Sequence, residues 1–324
     1  MPDTCVVAEI ILEEPALDNS SEGSTHTVLG DSFFWRHAKA LTPALFRTTR
    51  PRIKMGRVES ACATLSAIRE NSPLVHNMTN IVVANTTANA LLAIGASPAM
   101  VDGPEEAPEL ASVAGALVVN VGTVTPAQAE AMKLATTAAH KAGRPWVLDP
   151  VAVGALTFRT KLAGELLENK PSVIRGNASE IMALAGLGAG GKGVDSTDSS
   201  EAALAGAKEL AQQTGAVVVV SGPVDFITDG KRTAEVANGD KMMPYVTGLG
   251  CTATALTGAT LAVCDDPFDA AVDAMIFLGV VGEIAAKNAA GPASLQLDII
   301  NGLYQLNSDI LNATTRVEMH EAVA

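Results

Sequence analysis

The sequence predicts an α/β protein whose central sheet is mostly parallel. Short buried apolar segments, for example residues 116–121 and 216–220, alternate along the chain with longer segments of helical periodicity. This alternation is typical of right-handed βαβ units, in which helices pack against a parallel sheet. The composition is 48% hydrophobic but only 3% aromatic, so the core must consist mainly of Ala, Val, Leu and Ile side chains.

Each predicted element follows from its own local pattern. Apolar residues at helical spacing predict the first helix at residues 58–70, and Thr125 with Pro126 predicts an N-cap and first turn for another. An Asp229–Gly230 turn predicts a hairpin and therefore an antiparallel edge. We expect strands within residues 73–80, 95–101, 116–121, 145–150, 172–175 and 216–220. We expect further helices at residues 82–94, 199–214, 251–262, 267–288 and 293–311.

Residues 1–54 differ in composition from the rest of the chain. They combine a turn-rich polar stretch at residues 18–27 with a basic stretch at residues 46–54. The acidic residues of the first part are atypical of a mitochondrial presequence. We expect residues 1–54 to form a disordered N-terminal extension, or to precede a start at Met55, and residues 55–324 to form the folded domain.

Charge, cysteine content and hydropathy argue against several classes of function. A formal net charge of −13 and a pI near 4.8 disfavour nucleic-acid binding, because such a surface repels phosphates. The four cysteines lack CxxC or metal-ligand spacing and are typical of the reduced thiols of a cytoplasmic protein. No uninterrupted apolar run reaches the ~18 residues of a membrane-spanning helix, so we expect no membrane span.

The glycine-rich turn at residues 247–251 is the strongest candidate for chemistry. Gly248 and Gly250 allow positive φ, so successive N–H groups can converge on one point at the start of a helix. Such a helix start binds anions, and a phosphate suits it best. Cys251 lies in the first helical turn, where the helix dipole would lower the pKa of its thiol. The alternative interpretation is a tight turn that caps an ordinary core helix.

Polar residues at the predicted strand ends are the other candidates. Asp149 ends a strand and is either a Mg²⁺ ligand or part of an Asp-Pro turn. Arg175 could reach phosphates. Glu180 fits a capping box with Asn177, or a metal site, and the local sequence does not separate the two.

Two further motifs have weaker support. The polar loop that contains Asn77, Thr79 and Asn80 suits a small polar heterocycle, although one of these residues should cap the following helix. Residues 186–193 match GxGxxG and most of a P-loop, but Gly193 replaces the required Ser or Thr and no strand precedes the motif. We expect residues 186–193 to form a flexible loop without a phosphate-binding role.

The motifs in combination identify a family. The chain resembles the hydroxyethylthiazole kinase family over about residues 58–311. The matching segments occur in the family's order, namely residues 77–80, 149–154, 175–180, 220–222 and 248–251. The resemblance implies a ribokinase-like three-layer sandwich with helices on both sides of a mostly parallel sheet. It also implies a homotrimer with active sites between subunits.

The resemblance implies an activity and a partly assigned site. The family transfers the γ-phosphate of ATP, with Mg²⁺, to the hydroxyethyl group of 4-methyl-5-(2-hydroxyethyl)thiazole in thiamine biosynthesis and salvage. By motif, Met100 and Gly248 match thiazole-contacting positions, and Asn77 lies nearby on the same loop. Arg175 and Ser221 match ATP-contacting positions, and we add the N–H of Gly250 to the phosphate site.

The same resemblance assigns the metal and the catalytic position. Asp149 and Glu180 match acidic positions associated with Mg²⁺. Cys251 lies where ribokinase relatives have an Asp base, and cysteine is characteristic of this family there. Leu249 is a departure, because the family commonly has Thr or another small residue at that position, and its effect should be on rate rather than reaction type.

Two other functions are compatible with these motifs. One is a ribokinase-like kinase for another small alcohol, such as hydroxymethylpyrimidine. The other is a non-enzymatic sensor of a thiazole or a nucleotide. Asp149, Glu180 and Arg175 disfavour the sensor, because binding alone would not require a metal site.

Overall fold

This computed structural model describes residues 56–186 and 199–320 of the chain. The predicted N-terminal extension, residues 1–54, lies outside the described residues, and so does the glycine-rich loop from residue 187 onward. Within the described part of the chain, no helix has the length and apolarity that crossing a membrane requires.

The described residues form strands and helices that alternate for most of the chain. The strands are β1 (Leu74–Met78), β2 (Ser97–Ala99), β3 (Ala116–Asn120), β4 (Trp146–Asp149), β5 (Val173–Asn177), β6 (Val217–Ser221), β7 (Asp225–Thr228), β8 (Thr233–Val236) and β9 (Val317–His320). The helices are α1 (Arg57–Asn71), α2 (Ala84–Ile94), α3 (Ala107–Val113), α4 (Pro126–Lys141), α5 (Thr157–Leu167), α6 (Ala178–Leu184), α7 (Ser199–Thr214), α8 (Leu249–Leu261), α9 (Pro267–Ala286), α10 (Pro292–Gln305) and α11 (Ser308–Thr314).

The strands form one sheet in the order β2-β1-β3-β4-β5-β6-β7-β8-β9. Pairing is parallel from β2 through β6 and antiparallel from β6 through β9. The predicted hairpin is confirmed, because β7 and β8 pair across the Asp229–Gly230 turn. The mostly parallel sheet and its flanking helices confirm the predicted fold class.

Two buried clusters lie on opposite faces of the sheet. Side chains of β3 alternate between them, with Leu117 and Val119 in one cluster and Val118 in the other. The cluster that contains Val118 packs against α1, α2 and α8 to α11, whereas the opposite cluster packs against α3 to α7. The three layers follow directly from this alternation.

The C-terminal part of the chain differs from its prediction. The sequence predicts one helix at residues 293–311, but Leu306 is extended and separates α10 from α11. Asn307 caps α11, because its side chain accepts a hydrogen bond from the backbone N–H of Ile310. Strand β9 was not predicted, because its four residues are mostly exposed and their short Val-Glu-Met-His alternation is too brief to identify a strand.

Helix starts gave one wrong prediction and two correct ones. Helix α2 begins at Ala84, later than predicted, and its N-cap is Val83, which makes no side-chain cap. Asn80 instead accepts a hydrogen bond from the N–H of Val82 in the preceding turn. The predicted caps of α4 and α6, Thr125 and Asn177, both form capping boxes.

Helix α8 lies unusually close to the sheet. All of its residues from Thr252 to Leu261 are buried. Thr257 satisfies its buried hydroxyl by donating to the carbonyl of Ala253 one turn earlier. A Cβ at Gly258 would overlap Cγ2 of Val118 on β3, so only glycine allows this approach. The packing fixes where the first turn of α8 lies relative to β3 and β4.

Gly258→Ala should therefore destabilise the protein, because the added methyl group must displace α8 from Val118. Overpacking of this kind costs about 1–3 kcal/mol of unfolding free energy. Gly164→Ala is the matched control, since Gly164 lies in helix α5 with no atom within 4 Å of the added Cβ.

Urea unfolding measures both changes. We expect a loss for Gly258→Ala and an unchanged or higher stability for Gly164→Ala, because alanine favours helix over glycine by up to ~1 kcal/mol. Equal stabilities of the two variants would contradict the close packing of α8 on β3.

Candidate active site

The candidate site lies where three parallel strands end beside the start of α8. Asn120, Asp149 and Asn177 are the last residues of β3, β4 and β5. In open parallel sheets, ligands bind outside the carboxyl ends of the strands. Helix α8 brings the glycine-rich turn to the same edge, since Thr254 and Cys251 contact residues from β3 and β4.

The glycine-rich turn has the predicted form at one of its two glycines. Gly248 is the N-cap of α8 with φ 82°, and a Cβ there would overlap Cγ1 of Val83. Gly250 is helical, so the prediction that it uses positive φ is wrong. It is glycine for reasons of space, since a Cβ would lie 2.6 Å from Nη1 of Arg175. The first N–H groups of the helix have no intrahelical acceptor and lie beside this guanidinium, an arrangement of the kind that binds anions.

A buried polar cluster underlies the start of α8. Nδ2 of Asn120 donates to Oδ2 of Asp149 at 2.6 Å and to Sγ of Cys251 at 3.2 Å. The hydroxyl of Thr254 donates to the same oxygen of Asp149 at 2.8 Å. Nδ2 of Asn80 lies 3.0 Å from Oδ1 of Asn120 and 3.4 Å from Sγ of Cys251. The cluster therefore joins the loop after β1 to β3, β4 and α8 through side chains.

Asp149 is a buried carboxylate whose charge is only partly compensated. Burial raises its pKa from 3.8 to about 6. The positive charge of Arg175 lowers the pKa, whereas the negative charge of Glu180 raises it, and the hydrogen bonds from Thr254 and Asn120 lower it. A cation placed beside Asp149 would offset the cost of its burial.

The prediction of a lowered pKa for Cys251 is wrong. Burial raises the pKa of this thiol, and the neighbouring charge of Asp149 raises it further. The amides of Asn80 and Asn120, and then the charge of Arg175, act in the opposite direction without reversing the shift. The helix-dipole argument failed because desolvation and a buried carboxylate outweigh the partial charge of a helix start.

Glu180 and Arg175 flank this cluster. Glu180 forms the predicted capping box with Asn177, as Oε2 accepts from the N–H of Asn177 and Oε1 from the N–H of Ala152, both at 2.9 Å. Arg175 is half-buried, and its Nε has no hydrogen-bond partner among the described residues. Nη1 and Nη2 of Arg175 face the space above Gly250.

A large cavity opens beside these groups. Its volume of about 920 Å³ is that of a nucleotide-sized ligand site. The predicted ATP-binding residues Arg175, Ser221 and Gly250 all line it, together with Gly248. The hydroxyl of Ser221 donates to the carbonyl of Gly176. Apolar side chains form another part of the wall, namely Met243, Val246, Leu249, Met275 and Leu278.

The other predicted substrate-binding residues lie outside this cavity. Asn77 is buried at the end of β1 and donates to the hydroxyl of Thr87 at 3.0 Å, with Sδ of Met100 at 3.6 Å. Oδ1 of Asn77 is buried without a partner among the described residues. Met100 is 39% exposed, whereas Ile81 and Val82, on the loop after β1, are 77% and 59% exposed. Gly248 thus borders the cavity, and Asn77 and Met100 lie together beside a partly exposed apolar surface.

Sequence reasoning missed several residues of the site. Asn120 ends β3 in register with Asp149 on β4, and this shared strand-end position is a signal that could have identified it. Thr254 donates to Asp149 and carries no local signal of its own. Asn80 was singled out as a cap or ligand-binding residue, but its contact with Cys251 was not expected. Asp225 was also missed; it lines the cavity, and burial raises its pKa to about 6 although it accepts a hydrogen bond from the N–H of Gly222.

Known proteins match this chain in sequence. A model of the Hydroxyethylthiazole kinase family matches residues 65–309. The hydroxyethylthiazole kinase of Granulibacter bethesdensis is 58% identical over 252 residues, which make up 78% of this chain and 92% of that protein. The hydroxyethylthiazole kinase of Cereibacter sphaeroides is 52% identical over 258 residues, or 79% of this chain and 98% of that protein.

Solved structures match the fold. The hydroxyethylthiazole kinase protein from Pyrococcus horikoshii OT3 superposes with a TM-score of 0.76 at 39% identity, covering 81% of this chain and 100% of that chain. The pyridoxal kinase from Staphylococcus aureus in complex with AMP-PCP and pyridoxal has a TM-score of 0.55, covers 77% of this chain and 99% of that chain, and at 18% identity shows the fold alone. The family match and the close relatives agree, and this chain belongs to the hydroxyethylthiazole kinase family.

Proposed function

We propose that the protein transfers the γ-phosphate of ATP to the hydroxyethyl group of 4-methyl-5-(2-hydroxyethyl)thiazole, in thiamine metabolism. The observation that carries this proposal is the position of Arg175 directly above the first turn of α8, in the wall of the large cavity. The guanidinium and the free N–H groups converge where a transferred phosphate would lie. Family membership supplies the identity of the acceptor alcohol.

The cavity has the chemical character that ATP requires. Its apolar wall suits a purine ring, and Ser221 lies at the polar end near Arg175. Phosphoryl transfer depends mainly on positioning and on neutralising charge, and Arg175 with the N–H of Gly250 provides both for the phosphates. In the similarly folded pyridoxal kinase from Staphylococcus aureus, the bound AMP-PCP is an ATP analogue.

Asp149 and Glu180 fit a Mg²⁺ ion. Asp149 is buried beside a second carboxylate. Asn120 and Thr254 both donate to its Oδ2, so its Oδ1 accepts no hydrogen bond from the described residues. Both oxygens of Glu180 accept backbone hydrogen bonds, so Glu180 would act through its charge or through a water ligand. The ion would neutralise the phosphates of ATP during transfer.

Cys251 is the group best placed to receive the proton of the acceptor alcohol. Its sulfur is half-buried at the start of α8, next to the anion site. Because its pKa is raised, Cys251 is mostly a protonated thiol at neutral pH, and only its small thiolate fraction can accept a proton. A weak base suffices where the transition state for phosphoryl transfer is loose.

The thiazole alcohol would bind on the side of Asn77 and Met100. The thioether of Met100 beside a single amide, that of Asn77, suits a small neutral heterocycle better than a sugar. The exposed Ile81 and Val82 on the adjoining loop suit contact with a second subunit. The family resemblance implies a homotrimer with active sites between subunits, and we propose this assembly. We also propose that the protein is located in the cytoplasm.

A comparison of acceptor alcohols tests the function. Purified protein with Mg²⁺ and ATP should phosphorylate hydroxyethylthiazole, with ADP formed in proportion to the thiazole phosphate. Hydroxymethylpyrimidine is the control acceptor of similar size. Turnover of the pyrimidine alcohol without turnover of the thiazole would reject the proposed substrate, and nucleotide binding with no transfer to either alcohol would favour a sensor.

Replacement of Cys251 tests its role. Cys251→Ala keeps the backbone N–H groups and should lower kcat by ~10²–10⁴-fold if the thiol takes the proton. Cys251→Asp should retain or raise kcat, because a carboxylate is ionised at neutral pH and can accept the same amide donors. Its charge should also raise KM for ATP. An unchanged kcat in Cys251→Ala would exclude the thiol from proton transfer.

Asp149→Asn should abolish transfer yet stabilise the metal-free protein at neutral pH. Oδ1 of asparagine can replace the one oxygen that Asn120 and Thr254 bind, without a buried charge. Since the folded pKa of Asp149 is about 6 against 3.8, the unfolded chain loses its proton first. Asp149 therefore contributes fully to the free energy of unfolding below about pH 4. This free energy falls by a few kcal/mol as the pH rises through about 6.

Urea unfolding at two pH values checks the direction of this pH dependence of stability. The stability gained by Asp149→Asn should be larger at about pH 7.5 than at about pH 3, where the wild-type carboxyl is mostly protonated in both states. An equal gain at both pH values would show that folding does not raise the pKa of Asp149.

A further inference from the structure

Two buried amides hold the thiol of Cys251. Nδ2 of Asn120 lies 3.2 Å and Nδ2 of Asn80 lies 3.4 Å from its Sγ. Asn80 and Asn120 are 5% and 1% exposed, whereas Cys251 is half-buried. We refer to Asn80 and Asn120 as the amide pair. Burial of two amides against one sulfur is costly unless each of their polar atoms is satisfied.

The orientation of each amide is fixed by a backbone N–H group. Oδ1 of Asn120 accepts from the N–H of Gly122 at 2.9 Å, and Oδ1 of Asn80 accepts from the N–H of Val82 at 3.1 Å. A backbone N–H can only donate, so a flipped amide would face it with another donor. Both side chains must therefore point their NH₂ groups at the sulfur.

Every N–H of the amide pair has an acceptor. Asn120 donates to Asp149 and to Cys251, and Asn80 donates to Asn120 and to Cys251. The sulfur therefore acts as an acceptor on this buried side, and its own hydrogen cannot be directed there. The thiol hydrogen is therefore directed to the open side of Cys251.

A glycine makes room for this arrangement. A Cβ at Gly122 would lie 2.8 Å from Oδ1 of Asn120 and 2.9 Å from Nδ2 of Asn80. Gly122 does not have a positive φ, so its backbone does not require glycine. The small residue is needed because the amide pair occupies the space.

We propose that Asn80 and Asn120 are positioning residues that orient and polarise the Cys251 sulfur toward the acceptor alcohol. This role rests on the proposed phosphoryl transfer and explains how Cys251 can act as the base in that reaction. Two N–H donors stabilise the thiolate form of Cys251, which is the form that can accept the proton of the alcohol and becomes a neutral thiol as it does so. Asn120 also ties the sulfur to Asp149, which fixes the base relative to the proposed metal ligand.

Alkylation of the thiol tests the amide pair without any substrate. In metal-free and nucleotide-free protein, iodoacetamide labelling followed by mass spectrometry gives the rate at Cys251, with Cys62 and Cys264 as internal references. Asn80→Asp and Asn120→Asp replace a donor by an acceptor and should slow labelling of Cys251 by about tenfold, the effect of about one pKa unit. Asn169→Asp is the matched control, because Asn169 binds Thr136 and Thr137 far along the chain from this site.

Gly122→Ala provides a variant without a change of charge. Its methyl group should displace the amide pair and slow the labelling of Cys251 in the same direction, while leaving Cys62 and Cys264 unchanged. Labelling of Cys251 at the wild-type rate in all three variants would overturn the proposal. This result is independent of whether the thiazole is the substrate.

Kinetics then show whether the amide pair acts through the sulfur. Asn80→Asp and Asn120→Asp should lower kcat by about tenfold or more, with KM for ATP changed by less than about twofold. Combined with Cys251→Ala, neither change should lower kcat further. A further loss in the double variants would assign their effect to Asp149 or to the fold and would overturn the proposal. Failure of wild-type protein to phosphorylate the thiazole would instead reject the proposed function.

Discussion

The close contact between α8 and strand β3 determines where every other part of the site can lie. Gly258 permits this contact, since any larger residue would strike Val118. As a result, the first turn of α8 meets the ends of β3 and β4, and Cys251 and Thr254 reach Asn120 and Asp149. Helices on a parallel sheet normally pack through larger side chains. Here small and hydroxylated residues bring a helix start, with its unpaired N–H groups, into the ligand-binding edge of the sheet.

Electrostatics at this edge favour ligand binding over the stability of the empty protein. Asp149 is buried with its pKa raised to about 6, near a second carboxylate and a single guanidinium. The raised pKa of Cys251 has the same two origins, namely burial and the charge of Asp149. Charged groups kept at unfavourable pKa values are typical of functional sites. Mg²⁺ would supply positive charge beside Asp149, and the phosphates of ATP would pair with Arg175 and the N–H groups at the start of α8.

The sequence predicted the parts of the site that depend on backbone geometry. Gly248, the Asp229–Gly230 hairpin and the Asn177 capping box each have a strong local signature. It did not predict contacts that form only between distant segments. In the sequence, Asn120 is an ordinary strand end, and its role becomes visible only because β3 lies beside β4. Asn80 was an expected cap of α2, but its side chain binds Asn120 and the N–H of Val82 instead.

Two errors have the same physical origin. The pKa of Cys251 was expected to be lowered because only the helix dipole is visible in the sequence, whereas burial and Asp149 are properties of the fold. Strand β9 was missed because its pairing with β8, rather than its own composition, makes it a strand. Tertiary context decides both, as it does for most short strands and buried titratable groups.

The proposed function depends on phosphate transfer at the start of α8. A crystal structure with Mg²⁺, the ATP analogue AMP-PCP and hydroxyethylthiazole tests this position directly. We expect the γ-phosphate within hydrogen-bonding distance of the N–H groups at Gly250 and Cys251, with Arg175 on the phosphates and the alcohol oxygen against Sγ of Cys251. A γ-phosphate bound away from this turn, or an alcohol oxygen out of reach of the sulfur, would contradict it.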